Sequence, residues 1–309
     1  MRNLSNRTTA LLCALFCDIV WGFSFLFSKL AFQVTTPSVL LAIRFLLAFA
    51  FMNLALLLRR KPLSLRGRPW KGLLVLGLTQ PVCYFLCESY GINNSTSSFA
   101  GTMIALIPMS ALALSALLLG ERTNLRQKLF TVLSVAGAAV ASLAGVGGEV
   151  RPLGVILLLG AVLSGGFYNI YSRKTSYSFD AFEQTYFMLG MGAAVFTPLA
   201  LWLSRNDLSR LVLAPLQNGK LWMSALFLAG LCSVGAFLLL NYALSRVPAP
   251  VVAPLGNLTT VVSILAGVIF LHESFTALQA AGSAAIVFGA VGASLAGPKC
   301  TLDNISPNE

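Results

Sequence analysis

The chain has 309 residues, of which 57% are hydrophobic and 10% charged, and its formal net charge is +11. A soluble domain is about 45–50% apolar and about 25% charged. The composition therefore excludes a disordered chain and argues against a soluble enzyme or a nucleic-acid-binding protein. The class that remains is an all-α membrane protein that crosses the bilayer several times.

Ten segments are long enough to cross a hydrocarbon core of about 30 Å as helices. The first segment follows a short basic N-terminus and has no small-x-small cleavage site. We therefore interpret it as a retained helix and not as a signal peptide. The predicted spans are 9–31, 38–58, 71–91, 97–119, 125–144, 152–172, 181–203, 221–243, 249–271 and 276–297.

The basic residues predict the orientation of these spans. With the N-terminus inside, fifteen of the 21 Lys and Arg residues fall on the cytoplasmic side and four on the opposite side, and Lys29 and Arg44 lie within spans. Cytoplasmic loops of membrane proteins carry such an excess. We therefore expect a multi-pass protein of the inner or plasma membrane with both termini in the cytoplasm, and the charge requires no nucleic-acid partner.

The chain repeats itself after a shift of 152 residues. Trp70 then aligns with Trp222, and the five residues 141–145 align with the identical residues 293–297. Each half contains five spans, and because five is an odd number the second half enters the membrane from the opposite side. Inverted repeats of this kind are a recurring design of secondary transporters. The predicted repeats, two inverted five-helix units, are residues 9–145 and 152–297.

Small residues recur every four positions in the fifth and tenth spans, where Gly137 aligns with Gly289. This spacing lets helix backbones approach closely in lipid, so we expect these two helices to be structural. Glu121 and Glu273 each precede a later span, and we expect each to cap the helix that follows it or to interact with the dipole of that helix.

We assign four charged residues to the membrane interior: Asp18, Lys29, Arg44 and Glu88. A charge at the bilayer centre costs about 2.5–3.5 kcal/mol on insertion scales, so each one needs a reason. Glu88 either pairs with Arg44 or Lys29 as a structural ion pair, or it lines a polar cavity with Asp18. In the second case either carboxylate could titrate and couple proton movement to transport. We interpret Arg44 as structural, and Lys29 as a side chain that extends to the membrane interface.

Aromatic and amide side chains accompany these charges. Trp21 follows Asp18 by three residues and Tyr84 precedes Glu88 by four, so each pair shares a helix face. Pro108 and Pro254 are expected to interrupt the fourth and ninth helices, either as simple kinks or by freeing backbone groups that line a cavity. The predicted substrate-binding residues are Asp18, Trp21, Tyr84, Glu88, Tyr168, Asn169 and Asn241.

The sequence predicts neither a metal site nor a cofactor. Six cysteines form no C-x-x-C pair, and His272 is the single histidine, so the ligand set of a Cys/His metal site is missing. No G-x-x-x-x-G-K-[ST] stretch is present, so the energy for transport is expected from a gradient or from the substrate itself.

The order of the motifs resembles the drug/metabolite transporter superfamily, specifically its ten-helix EamA type. The matching motifs are Trp21-Gly22-Phe23 with Lys29, Pro37 with Arg44-Phe45, Pro108 with Gly120-Glu121, and Glu273. The chain departs from the pattern at His272, where Gly is usual, and at Thr260, which replaces a proline. The resemblance implies a central cavity lined mainly by the first, third, fourth, sixth, eighth and ninth helices.

Together these features predict a secondary transporter that exports or exchanges small metabolites, such as amino acids, by alternating access. Its expected partners are the lipid bilayer and the small-molecule substrate. Two alternatives remain open. An intramembrane enzyme using Asp18 and Glu88 requires both carboxylates in one water-filled pocket, although helix rise places them at different depths. A non-transporting membrane scaffold predicts no continuous polar cavity.

Overall fold

The structure is a computed structural model that describes residues 2–58, 63, 68–119, 124–145, 150–246 and 256–296. Within these ranges the chain folds into helices joined by short links. The main helices are α1 (Arg2–Phe32), α2 (Pro37–Leu58), α3 (Lys71–Asn93), α4 (Ser97–Ile104), α5 (Ile107–Leu119), α6 (Leu125–Gly145), α7 (Pro152–Ser176), α8 (Ala181–Leu203), α9 (Gly219–Arg246), α10 (Asn257–Leu271) and α11 (Ala277–Leu295).

Six of these described helices, α1, α2, α3, α7, α8 and α9, are long and apolar enough to cross a membrane. Shorter apolar helices lie at Ser97–Ala111, Lys128–Gly137, Leu258–Leu271 and Ala277–Gly289. The chain is therefore an all-helical, multi-pass membrane protein. Some predicted features lie outside the described residues: Gly120, Glu121, Pro254, Gly297 and the start of the ninth span, residues 249–255.

Polar side chains mark where several helices begin. The Thr96 side chain accepts a hydrogen bond from the backbone nitrogen of Phe99 at the start of α4, at 3.1 Å. Asp180 and Glu183 form a reciprocal capping box at the start of α8, with both hydrogen bonds at 2.9 Å. These side chains satisfy backbone N–H groups that the first helical turn leaves without a partner.

Arg68 fastens the segment before α3 to the start of α8. Its guanidinium donates to both carboxylate oxygens of Glu183 at 2.8 Å and lies 4.1 Å from the centre of the Phe179 ring. The hydrogen bond with Glu183 raises the pKa of the Arg68 guanidinium. This bidentate pair holds the residues just before α3 against the first turn of α8.

α6 packs against α11 along their small residues. A methyl group on Gly137 would lie 2.7 Å from the carbonyl oxygen of Gly282, and one on Gly289 would lie 2.7 Å from that of Phe130. Both positions therefore need glycine, and the close approach expected from the spacing is present. The two contacts are related by the shift of 152 residues that relates the halves of the sequence.

A second reciprocal contact joins α1 to α10 and α7 to α5. A methyl group on Gly22 would lie 2.5 Å from Cβ of Val262, and one on Gly166 would overlap the hydroxyl of Ser110. Gly22 and Gly166 align after a shift of 144 residues, and Ser110 and Val262 align after a shift of 152. The same helix contact thus occurs twice, with the roles of the two halves exchanged.

The expectation that Glu273 caps the helix after it is wrong. Its carboxylate accepts hydrogen bonds from the backbone nitrogens of Ser97, at 2.6 Å, and Ser98, at 2.8 Å, and so caps α4. A carboxylate stabilises any helix N-terminus that it contacts. Glu273 follows the end of α10, and α10 packs against α4. The start of α11 is capped instead by the Thr276 hydroxyl, which accepts from the backbone nitrogen of Gln279 at 3.2 Å.

Candidate substrate cavity

A cavity lies among the helices in the part of the chain that the structure describes. Its volume, measured as the space open to the centres of water molecules, is about 150 Å³. Its wall comes from α1, α2, α3, α4, α5, α7, α9 and α10, while α6 and α11 stay outside it. Largely apolar walls with a few polar groups are typical of small-molecule sites. The family resemblance implied most of these helices, and the structure adds α2 through Arg44.

Six of the seven predicted substrate-binding residues line this one cavity: Asp18, Trp21, Tyr84, Glu88, Tyr168 and Asn169. The seventh, Asn241, lies behind the wall and contacts Tyr168. Four polar residues that the sequence did not single out as substrate-binding also line it: Ser24, Arg44, Gln80 and Thr259. The role of the predicted set in binding substrate stays a prediction.

Asp18 is buried, at 5% exposure, and forms no salt bridge with any residue that the structure describes. Its backbone carbonyl accepts a hydrogen bond from the Thr259 hydroxyl at 3.0 Å. Although helix rise places Asp18 and Glu88 at different depths, both line the same cavity. An uncompensated carboxylate at membrane depth is a candidate for binding a cation or a proton.

Trp21 is fixed in the cavity wall. Its indole nitrogen donates to the carbonyl oxygen of Cys232 at 3.0 Å, and its ring meets that of Phe237 edge-on with the centroids 5.3 Å apart. The hydrogen bond ties α1 to α9 and removes the rotational freedom of the indole. Trp21 therefore presents a preformed aromatic surface to the cavity.

Glu88 is not paired with a cation as the structural interpretation expected. Its partner is the Tyr84 hydroxyl, which donates to Oε1 at 3.0 Å from one turn earlier in α3. In the described residues no salt bridge joins Glu88 to Arg44, whose guanidinium lies 4.3 Å from the centre of the Phe85 ring and donates from Nε to the Ser233 hydroxyl at 2.9 Å. Arg44, interpreted from sequence as structural, also lines the cavity.

Lys29 lies outside the cavity and has a different role. Its ammonium donates to the carbonyl oxygen of Ile92 at 3.1 Å and to that of Ser95. These carbonyls belong to the end of α3 and to the link that follows it. Lys29 therefore ties α1 to the C-terminal end of α3.

Tyr168 is held by a hydrogen-bond network behind the wall. Its hydroxyl donates to Oδ1 of Asn241 at 3.0 Å, and the Ser172 hydroxyl donates to the same oxygen at 3.1 Å. Nδ2 of Asn241 in turn donates to the Thr185 hydroxyl at 2.9 Å. The network joins α7, α8 and α9 and fixes the ring of Tyr168 against the cavity.

The helices break where they border the cavity. α3 contains a π-helical segment, Leu78–Cys83, in which Gln80 is non-helical with φ −143° and ψ 117°. Sequence reasoning did not identify this break, although Pro81 in the middle of the span was a signal for it. The expected break near Pro108 is present but lies at residues 105–106, so that Pro108 falls in the first turn of α5.

A model of the EamA-like transporter family matches residues 8–143 and again residues 152–295. An uncharacterized transporter of Bacillus subtilis (strain 168), YcxC, is 34% identical over 295 residues, which cover 94% of each chain. A second one from that strain, YvbV, is 29% identical over 93% of this chain and 92% of its own.

A protein of Salmonella typhimurium (strain LT2) described as a probable amino-acid metabolite efflux pump is 27% identical over 285 residues, 89% of this chain and 91% of its own. One crystal structure matches with a TM-score of 0.64 and 21% identity, over 93% of this chain and 97% of that chain. That structural likeness supports the helical fold, while the family match and the sequence relatives support transport.

Proposed function

The chain belongs to the EamA-like transporter family, and from that premise we propose that it is a secondary transporter that exports or exchanges small metabolites by alternating access. The observation that carries the proposal is the cavity, because two carboxylates, a guanidinium and aromatic rings converge on it. Polar groups at membrane depth are costly, and they are typical of substrate and ion pathways.

The two halves would act as two inverted five-helix repeats in a ten-span bundle. The family model matches each half separately, and the contacts of Gly137 with α11 and of Gly289 with α6 are reciprocal. Reciprocal contacts are what a pseudo-two-fold axis produces. Two such repeats can move against each other, so that a site between them faces each side of the membrane in turn.

The substrate would be a small zwitterionic or amphipathic metabolite, with amino acids as the first class to test. The wall holds charges of both signs, Asp18 and Glu88 against Arg44, beside the aromatic faces of Trp21 and Tyr168. Such a wall suits a molecule that carries both charges and an apolar part. The efflux-pump description of the Salmonella relative points to the same class.

Proton coupling would run through Asp18 or Glu88. Neither carboxylate forms a salt bridge within the described part of the chain, so protonation would not have to break an ion pair. We place the protein in the inner or plasma membrane with both termini in the cytoplasm, following the distribution of Lys and Arg.

The test is counterflow in proteoliposomes that contain the full chain. Vesicles loaded with one unlabelled amino acid are assayed for uptake of the same labelled compound, over a panel of amino acids, with and without a pH gradient. Flux above that of protein-free vesicles is expected, and D18N and E88Q should lower it at least tenfold. D207N is the matched control, because Asp207 is an exposed carboxylate in the α8–α9 link.

The alternatives give different outcomes. A scaffold gives no flux for any compound, and an intramembrane enzyme gives chemically altered product, which chromatography of the vesicle contents detects. Unchanged flux in both D18N and E88Q would overturn the assignment of these carboxylates while leaving transport itself in place.

A further inference from the structure

Arg44 is a buried cation with unused hydrogen-bonding capacity. It is 2% exposed, lines the cavity and donates from Nε to the Ser233 hydroxyl at 2.9 Å. Within the described ranges neither terminal nitrogen of its guanidinium has an acceptor, and no carboxylate forms a salt bridge with it. Two of its three nitrogens therefore remain available to whatever enters the cavity.

Gln80 is a second buried side chain in the cavity wall with unused hydrogen-bonding capacity. Its side chain is 6% exposed, lines the same cavity, and has no hydrogen-bond partner among the residues that the structure describes. It lies at the non-helical position of the π segment in α3. Arg44 and Gln80 approach the cavity from different helices, α2 and α3.

A buried guanidinium without a salt bridge is unfavourable, because burial removes its hydration and the single hydrogen bond to Ser233 replaces only part of it. The Phe85 ring, 4.3 Å from the guanidinium carbon, compensates only part of that loss, since a cation–π contact contributes about 0.5–2 kcal/mol. Glu88 interacts electrostatically with Arg44, but no salt bridge joins the two in the described residues and Oε1 of Glu88 accepts from Tyr84. The arrangement is that of a site whose anion arrives with the ligand.

We infer that Arg44, assisted by the Gln80 amide, binds the carboxylate of the transported molecule, so that a free carboxylate is a requirement for recognition. The inference rests on the proposed transport function and assigns a specificity-determining residue to it. The planar guanidinium matches a carboxylate through two parallel hydrogen bonds, a geometry that lysine does not provide. Asp18 and Glu88 are then left for the ammonium group or the proton.

The experiment measures binding to the purified full chain in detergent by isothermal titration calorimetry. The probes are L-phenylalanine and L-leucine, each compared with its own amide, which keeps the ammonium and the side chain but has no negative charge. The wild type is expected to bind each acid at least tenfold more tightly than its amide. Inorganic phosphate and methanesulfonate form a separate arm that tests whether any anion suffices.

Two variants test the residues independently. R44Q is expected to weaken binding of the acids at least tenfold and to leave the amides within about threefold, so that the preference disappears. Q80E keeps the size of the side chain and places a negative charge beside the carboxylate, so it should weaken the acids and not the amides. K29Q is the matched control, because the Lys29 ammonium binds backbone carbonyls outside the cavity.

Equal affinity of the wild type for acid and amide would overturn the inference, as would loss of acid and amide in equal measure in R44Q, which indicates a structural role. If R44Q does not fold, Q80E decides alone. If proteoliposomes show amino-acid flux but Q80E still prefers the acid over its amide as the wild type does, this inference is wrong and the proposed function remains. Absence of both amino-acid binding and amino-acid flux would contradict the inference about Arg44 and Gln80 and also the proposal that amino acids are the substrates.

Discussion

Glu273 caps α4 through Ser98, a residue 175 positions earlier in the chain. Its Oε2 accepts from both the backbone nitrogen of Ser98, at 2.8 Å, and the Ser98 hydroxyl, at 2.6 Å. Glu273 belongs to the second family-matched segment and Ser98 to the first. The contact therefore joins the two halves of the bundle through a single carboxylate.

Removal of this carboxylate should destabilise the fold. E273A leaves backbone N–H groups at the start of α4 without an acceptor, and loss of a helix cap costs about 1–2 kcal/mol. E273Q keeps an acceptor oxygen but loses the charge, so its effect should be intermediate. Thermal unfolding in detergent measures the change, and S274A, at an exposed neighbouring position, is the control. An E273A protein as stable as the control would show that the cap is energetically irrelevant.

The close contact between α6 and α11 should not tolerate a methyl group. In G137A the added carbon would lie 2.7 Å from the carbonyl oxygen of Gly282, and relief of such overpacking typically costs about 1–3 kcal/mol. Because neither helix lines the cavity, the melting temperature should fall while the KM for substrate is unchanged. G219A, with open space around the added methyl, is the control. A change in KM at normal stability would contradict the structural role of these helices.

Asn241 should act on transport through Tyr168. Y168F and N241L each remove the 3.0 Å hydrogen bond between them, so each should slow counterflow, and the double variant should be no slower than the worse single one. Residues in one network are non-additive in this way. Y186F is the matched control, since the Tyr186 hydroxyl donates to Asn53 at 3.0 Å outside the cavity. Additive effects of Y168F and N241L would show that Asn241 acts independently.

The orientation of the chain can be tested with reporter fusions. Alkaline phosphatase fused after Ser178, in the α7–α8 link, should be inactive, because the basic residues place that link in the cytoplasm. The same enzyme fused after Asp207, in the α8–α9 link, should be active. The opposite pattern would invert the predicted topology.

Several features of the molecule follow from local sequence alone. Six of the ten predicted spans correspond to described helices that are long and apolar enough to cross a membrane, as in 38–58 and α2 (Pro37–Leu58). They were predictable because a stretch of about twenty apolar residues has few options other than a membrane helix. The family resemblance is confirmed by the match over both halves. It rested on the order of local motifs, beginning with Trp21-Gly22-Phe23, and such an order requires no knowledge of contacts.

Other features depend on which helices meet. Depth along the helices suggests a salt bridge between Arg44 and Glu88, yet in the structure the hydrogen-bond partner of Glu88 is Tyr84, one turn earlier in α3. Glu273 was assigned to the nearest helix in the chain, whereas the nearest helix start in space is that of α4. Depth along a helix is readable from helical rise, but the direction a side chain faces relative to its neighbours is not.

The charged residues, 10% of the chain, show which features depend on sequence and which on tertiary structure. The sequence by itself determined that the protein is a membrane protein and that its two halves are related, and the distribution of its cations predicts an orientation. These features depend on composition, spacing and local order. Only the tertiary structure decided that Asp18, Arg44 and Glu88 line one cavity while Lys29 binds carbonyls at the end of α3. The physical reason is that the cost of a buried charge is local, whereas the partner that offsets it is chosen by packing between distant segments.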